Sequence, residues 1–199
     1  MNEHYFTAQP SSKLNLGLLK ATLLGVDLQF LTAGGVFSHR KVDKGTSVLI
    51  DSMEIPDKGC ILDLGCGWGP IGICIAAQHP QDRVVMTDIN ERAIWLATQN
   101  VKLNNVKAEV RWGDLYDPVA DTTFDTIITN PPISAGRSLI FKAIDEAPSH
   151  LSRDGTLQLV ARTNKGAKSI SKIMEKIFAN VEEIGKKSGY RVFSSHKAQ

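Results

Sequence analysis

The chain has 199 residues, 42% of them hydrophobic and 22% charged, with a formal net charge of +2, a composition that suits one globular domain. No apolar run approaches the roughly 18 residues that span a bilayer, and the first residues show no signal-peptide pattern, so we expect a cytoplasmic protein without a membrane partner. Its cysteines, Cys60, Cys66 and Cys74, lack a Cys-x-x-Cys spacing, which favours neither disulfides nor a metal site.

The first 58 residues predict a small appendage. Apolar runs at 16–25 and 27–33 favour a hairpin, and residues 43–53 favour a helix that Asp43 caps. These elements precede the regular alternation of strand and helix patterns that begins at Cys60. We therefore interpret residues 1–58 as an appendage packed on a core of residues 59–199, and not as an independent domain.

From Cys60 onward, strand patterns alternate with helical patterns. Strands are predicted at 60–64, 83–88, 107–112, 124–129 and 156–162, and helices at 70–78, 90–104, 139–147 (stopped near Pro148) and 170–178. Two further strands, at 179–185 and 189–197, are close enough to form an antiparallel pair. The order predicts an α/β, Rossmann-like fold with a doubly wound, mostly parallel seven-stranded sheet. Ligands of such sheets bind beyond the carboxyl ends of the strands.

The loop after the first core strand, DLGCGWGPIG, is rich in glycine. Gly65 and Gly67 allow a sharp turn and a close approach of the backbone to a ligand. Asp88 ends the second core strand, where a carboxylate can accept hydrogen bonds from a ribose diol. Asp114 follows the third core strand and can accept a bond from an exocyclic amine.

Two cofactors compete for this pattern. Gly67, Gly69 and Gly72 match the dinucleotide fingerprint, with Asp88 at about the expected distance. The fingerprint should begin at Gly65, however, and Pro70 then removes an N–H group that a pyrophosphate needs. Asp63 would also repel a phosphate, whereas it suits the cationic amino group of S-adenosylmethionine. The pattern favours S-adenosylmethionine, with a nicotinamide dehydrogenase as the competitor.

These segments resemble the class I S-adenosylmethionine-dependent methyltransferases. DLGCGWG resembles the family's first motif, and Asn130-Pro131-Pro132-Ile133 resembles the Asn-Pro-Pro-aromatic motif of members that methylate amino groups. The resemblance implies that the catalytic residues are Asn130, Pro131, Pro132 and Ile133. It implies cofactor contacts at Thr46, Asp63, Gly65, Cys66, Gly67, Asp88, Ile89, Gly113, Asp114 and Asn130.

A narrower resemblance involves both ends of the chain. HYFTAQPSS, GVFSHRKVDKGTSVLI and NPPISAG are similar to the short, single-domain relatives of the RsmC-like small-subunit ribosomal RNA guanine-N2 methyltransferases. The GVFS segment of that family lies against the cofactor, which nominates Phe37, Asp43 and Thr46 as pocket residues. The implied partner is ribosomal RNA or the small ribosomal subunit.

Asn-Pro-Pro offers two rigid acceptors to an amine. The exocyclic amine of a base is a poor nucleophile because its lone pair is delocalised. The side-chain oxygen of Asn130 and the carbonyl of Pro131 can each accept one of its hydrogens, and the prolines hold those acceptors in place. Ile133 departs from the usual aromatic residue, so we expect Phe37 or Trp68 to contact the base.

Basic residues at the two ends of the chain suit a polyanionic partner. Residues 162–199 carry nine basic and three acidic side chains, whereas residues 46–161 carry an acidic excess. Arg137 is a candidate phosphate contact, and the predicted electrostatic footprint comprises Lys165, Lys168, Lys172, Lys186, Lys187 and Arg191. A solvated helix face is the alternative interpretation of these lysines.

Other functions share the same motifs. The methyl acceptor can be a protein glutamine amide or an adenine amine, because each offers a planar amine. The chain can also be a non-catalytic RNA-binding or ribosome-assembly factor of the same fold.

Overall fold

The computed structural model describes residue 8 and residues 14–132 and 136–198. Its strands are β1 (Leu16–Leu23), β2 (Val26–Ala33), β3 (Cys60–Leu64), β4 (Arg83–Asp88), β5 (Glu109–Trp112), β6 (Phe124–Thr129), β7 (Leu151–Arg162), β8 (Glu182–Lys187) and β9 (Tyr190–His196). Its helices are α1 (Lys44–Ser52), α2 (Pro70–Gln78), α3 (Glu91–Leu103), α4 (Arg137–His150) and α5 (Ala167–Phe178), with a short 3₁₀ turn at Asp117–Val119.

Seven strands form one sheet in the order β5-β4-β3-β6-β7-β9-β8, and β1 and β2 form a separate hairpin. Strands β3 to β7 pair in parallel, whereas β9 is antiparallel to both of its neighbours, β7 and β8. The predicted mostly parallel sheet with a C-terminal antiparallel pair and an N-terminal hairpin is therefore confirmed. The carboxyl ends of β3 to β7 meet along one edge.

Helices cover both faces of the sheet. One apolar cluster joins the sheet to α1, α2, α3 and the hairpin, and a second joins it to α4 and α5. Because parallel strands are buried on both faces, β3 and β6 consist mainly of aliphatic residues.

The hairpin is tied to the core by a buried amide. The side chain of Asn100, in α3, accepts a hydrogen bond from the N–H of Leu31 (2.6 Å) and donates to the carbonyls of Leu31 (3.0 Å) and Trp68 (2.9 Å). The ring of Phe30 meets Trp68 edge-on, with centroids 4.9 Å apart. The hairpin thus packs against the glycine loop, while the division of the chain between residues 58 and 59 stays a prediction.

Two elements are longer than the sequence indicates. Helix α4 continues through Pro148 to His150. Pro148 lies in the last turn, where its missing N–H group costs the helix only one hydrogen bond. Strand β7 begins at Leu151, five residues before the predicted start, and its pairing with β6 shifts register between Phe124 and Thr126. In the described part of the chain, no helix is long and apolar enough to cross a membrane.

Candidate active site

A cavity of about 700 Å³ opens at the carboxyl edge of the sheet. It is lined by the glycine loop after β3, the ends of β4 and β6, the loops after β5 and β7, and the segment before α1. Among the predicted site residues it gathers Phe37, Thr46, Gly65, Cys66, Gly67, Asp88, Ile89, Gly113, Asp114, Asn130, Pro131 and Pro132. Residues far apart in sequence therefore share one site, as the strand-end rule predicts.

The glycine loop is shaped by the end of β4. The carbonyl of Thr87 accepts hydrogen bonds from the N–H groups of Gly65 (2.8 Å) and Cys66 (2.9 Å). Gly65 and Gly67 have φ of 73° and 58°, a left-handed backbone conformation that residues with a side chain rarely adopt. A Cβ atom added at either position would meet no protein atom within 4 Å. The space beside both glycines is open to a ligand in the cavity.

Asp88 links this loop to α3. Its carboxylate accepts hydrogen bonds from the N–H groups of Gly67 (2.8 Å) and Asn90 (2.8 Å), one on each oxygen. Burial raises the pKa of the carboxyl, and these backbone bonds partly offset that effect. Each oxygen keeps acceptor capacity, which suits the two hydroxyls of a ribose.

Asp63 lies beneath the loop and does not line the cavity. It is fully buried, and one carboxylate oxygen accepts a hydrogen bond from the N–H of Gly72 (2.9 Å). The other oxygen has no hydrogen-bond partner among the described residues. Burial raises the pKa of this carboxyl to about 7. An unpaired buried carboxylate oxygen beside a glycine cradle matches a ligand with a cationic amino group.

The far side of the cavity is built around the end of β5. Gly113 donates its N–H to the carbonyl of Asp88 (3.1 Å), and the indole N–H of Trp112 donates to the carbonyl of Ile89 (2.8 Å). A carboxylate oxygen of Asp114 lies 3.9 Å from Nζ of Lys142. The two backbone-directed bonds fix Asp88, Ile89 and Gly113, which all line the cavity.

Asn130 is held by a residue from the N-terminal part of the chain. Its side-chain nitrogen donates to Oγ1 of Thr46 (2.9 Å), which is buried on α1. Asp43 caps that helix, as predicted, and accepts bonds from the N–H groups of Gly45 and Thr46. With its nitrogen bound to Thr46, the amide of Asn130 keeps its oxygen available as an acceptor.

The end of β6 is fixed just before the prolines. The hydroxyl of Thr129 donates to the carbonyl of Leu64 at the end of β3 (2.8 Å). The Asn-Pro-Pro segment is thereby joined to the strand that carries the glycine loop. Pro131 is buried and Pro132 is partly exposed, and both line the cavity.

The two candidate aromatic residues have different environments. Trp68 is only 2% exposed, and its indole N–H donates to the carbonyl of Phe37 (2.9 Å). Both residues line the cavity, but Phe37 is 37% exposed. Phe37 is the better candidate for base contact, while Trp68 packs against the core and fixes the Phe37 backbone.

Some predicted contacts do not join this cavity. Arg137 is exposed at the start of α4 and does not line it. Ile133 lies outside the described residues. Of the predicted basic footprint only Lys165 lines the cavity. Within the described ranges, no group of three or more histidine, cysteine or carboxylate side chains can hold a metal ion.

Sequence reasoning missed several residues that line the cavity, among them the polar residues Arg162 and Tyr190. Arg162 ends β7, so the strand-end rule could have found it. Tyr190 begins β9, and the antiparallel register pairs it with Arg162. Only the strand order shows that the start of β9 lies at this edge.

Comparison with known sequences identifies relatives of the chain. The family model of the methyltransferase small domain matches residues 27–194. The chain is 37% identical over 200 residues to the uncharacterized protein YbxB of Bacillus subtilis (strain 168), covering 99% of this chain and all of that protein. It is 34% identical over 173 residues to ribosomal RNA small subunit methyltransferase C of Hamiltonella defensa subsp. Acyrthosiphon pisum (strain 5AT), covering 85% of this chain and 50% of that protein. The chain spans about half the length of this curated methyltransferase.

A solved structure shares the fold over nearly the whole chain. The T. thermophilus 16S rRNA N2 G1207 methyltransferase RsmC, in complex with AdoMet and guanosine, superposes with a TM-score of 0.84 at 24% identity. The match covers 94% of this chain and 52% of that one. It confirms the predicted Rossmann-like α/β fold, and together the matches confirm the resemblance to RsmC-like methyltransferases.

Proposed function

The chain belongs to the methyltransferase small domain family, and we propose that it transfers a methyl group from S-adenosylmethionine to the exocyclic N2 amine of a guanine in small-subunit ribosomal RNA. The single observation that carries the proposal is the amide of Asn130. Thr46 binds its nitrogen, and its oxygen is left as an acceptor in the same cavity as the glycine loop. Curated relatives named ribosomal RNA small subunit methyltransferase C support the RNA substrate.

The residues of the cavity fit S-adenosylmethionine. Gly65 and Gly67 make room for its methionine part, and the unpaired oxygen of Asp63 lies beneath them. Asp88 would hold the ribose hydroxyls. Cys66, Ile89, Gly113 and Asp114 would surround the adenine and the sulfur. When bound, the cofactor supplies a methyl group on a positively charged sulfur, which departs as a neutral thioether.

The protein orients the acceptor nitrogen and does not need a strong base. The side-chain oxygen of Asn130 and the carbonyl of Pro131 each accept a hydrogen bond from the amine. These two bonds draw the nitrogen toward a tetrahedral geometry. Methylation would leave this nitrogen positively charged, and it would then lose a proton to water. Holding the reacting atoms about 3–3.5 Å apart and in line lowers the barrier by several kcal/mol.

Phe37 would face the base when it enters the cavity. Its backbone is held by Trp68, and its exposed ring lies on the cavity wall. Base flipping or an unpaired nucleotide brings the amine within reach. Pro132 and Ile133 stay predicted catalytic residues, and Arg137, which begins α4 outside the cavity, stays a predicted substrate contact.

Transfer of labelled methyl groups tests the proposal. Small ribosomal subunits and extracted ribosomal RNA are incubated with labelled S-adenosylmethionine and either wild type or Asn130→Ala. We expect label that nuclease releases and at least a tenfold loss of rate in the variant. The affinity of the variant for S-adenosylhomocysteine, measured in parallel, separates a loss of amine orientation from a loss of the cofactor contact expected at Asn130.

Other results identify the alternatives. Label that protease releases would indicate a protein amide as the acceptor. Absence of transfer with intact cofactor binding would indicate an RNA-binding factor. A thermal shift with NAD and none with S-adenosylhomocysteine would contradict the choice of cofactor.

A further inference from the structure

The walls of the cavity carry opposite charges. Asp88 and Asp114 line it at the ends of β4 and β5, whereas Arg162 and Lys165 line it at the end of β7. The strand order β5-β4-β3-β6-β7 places Asn130, at the end of β6, between the two groups. The acidic side suits a cationic cofactor, and the basic side suits an anionic part of the methyl acceptor.

The two cations of the basic side are not committed to ion pairs. Arg162 and Lys165 are exposed, and neither has a carboxylate within 4.0 Å among the residues that the structure describes. Other basic residues near the C-terminus are paired: Lys187 with Asp51 (3.2 Å) and Arg191 with Glu183 (2.9 Å). Of the six basic residues in the footprint predicted from sequence, only Lys165 lines the cavity.

Arg162 is oriented by an aromatic ring. Its guanidinium carbon lies 5.4 Å from the ring centroid of Tyr190, its partner across the β7–β9 pair. Tyr190 in turn packs on the backbone of Gly45, where an added Cβ would come within 2.9 Å of the ring. A cation–π contact with a ring face leaves the N–H groups of a guanidinium available, and these match the oxygens of a phosphate.

We propose that Arg162 and Lys165 bind backbone phosphates of a single-stranded RNA segment beside the nucleotide whose base enters the cavity. This proposal rests on the proposed function. Single-stranded RNA is favoured over an acidic protein because the basic pair lines the same cavity as Phe37, which is 37% exposed. Bases stack on aromatic side chains in cationic grooves. Asp43, which also lines the cavity, has its carboxylate bonded to α1.

Salt-dependent RNA binding tests the proposal independently of turnover. The probe is a fluorescein-labelled single-stranded oligoribonucleotide, titrated by anisotropy between about 50 and 200 mM salt. The variants are Arg162→Ala, Lys165→Ala, the double variant and Arg162→Lys. Lys107→Ala is the matched control, because Lys107 is an exposed lysine just before β5, at the opposite edge of the sheet.

We expect each alanine variant to weaken RNA binding about three- to tenfold at low salt. Each should reduce the slope of log K against log salt by about 0.7, the value for one phosphate contact to a single strand. Arg162→Lys should keep the slope and lose part of the affinity. Lys107→Ala should match wild type, and all variants should bind S-adenosylhomocysteine as wild type does.

Three results would overturn the proposal. Unchanged RNA affinity and salt slope in the double variant would exclude phosphate contacts, even if wild type methylates RNA. A parallel loss of S-adenosylhomocysteine affinity would place the two cations on the cofactor. Binding of an acidic protein in preference to the oligoribonucleotide would also contradict it. Failure of the proposed function is recognised separately, by the absence of methyl transfer from wild type.

Discussion

The bond between Thr46 and Asn130 makes the sharpest prediction. Thr46→Val keeps the shape of the side chain but removes the acceptor for Nδ2 of Asn130, 2.9 Å away. The amide is then free to turn, and its nitrogen can face the target amine. A neutral hydrogen bond contributes about 1 kcal/mol, and about 1.4 kcal/mol corresponds to a factor of ten in rate. We therefore expect kcat to fall about five- to tenfold.

The assay is single-turnover methyl transfer with saturating RNA, together with calorimetry of S-adenosylhomocysteine binding. Thr46→Ser retains the hydroxyl and should restore most of the rate. Cofactor affinity should stay within about twofold of wild type in both variants, because Thr46 acts through Asn130. An unchanged kcat in Thr46→Val would refute this reasoning. If weaker cofactor binding accounts for the whole loss of rate, Thr46 contacts the cofactor directly, as the sequence predicts.

Three further predictions concern the cofactor side of the cavity. Asp63 has a pKa of about 7 in the folded protein against an ordinary 3.8. The folded state therefore binds the proton more tightly than the unfolded state, and the free energy of unfolding falls as pH rises from about 4 to 7. Asp63→Asn should raise the Tm of the ligand-free protein more at pH 8 than at pH 5, and an equal shift at both pH values would contradict this. Gly72→Ala places a Cβ 2.3 Å from Sδ of Met86 and should lower the free energy of unfolding by about 1–3 kcal/mol in urea titrations; an unaltered midpoint would show that Met86 moves aside. Asp88→Ala should weaken S-adenosylhomocysteine binding about ten- to a hundredfold in calorimetry, the range for hydrogen bonds to a charged group, and wild-type affinity would remove Asp88 from the ribose site.

The sequence predicts the sheet and the cofactor loops because their signals are local. The run CILDL followed by glycines marks a buried strand and a tight turn within a dozen residues. Asp88 and Asn130 each follow a strand pattern directly, so the strand-end rule brings them together without knowledge of the strand order.

Long-range contacts leave no such signal. Thr46 and Asn130 are 84 residues apart, and no periodicity links them; a family resemblance alone placed Thr46 near the cavity. Tyr190 reaches Arg162 only because β9 inserts between β7 and β8 in the antiparallel sense. The burial of Trp68 could not be predicted from local sequence either, because Trp68 packs against Phe30 of the distant hairpin.

The identity of the methylated nucleoside tests the central claim most directly. Small-subunit ribosomal RNA is incubated with S-adenosylmethionine and either wild type or Asn130→Ala, digested to nucleosides and analysed by mass spectrometry. The account predicts N2-methylguanosine formed by wild type and at least tenfold less formed by Asn130→Ala. Methyl groups found on adenine, or equal amounts of N2-methylguanosine from both proteins, would contradict it.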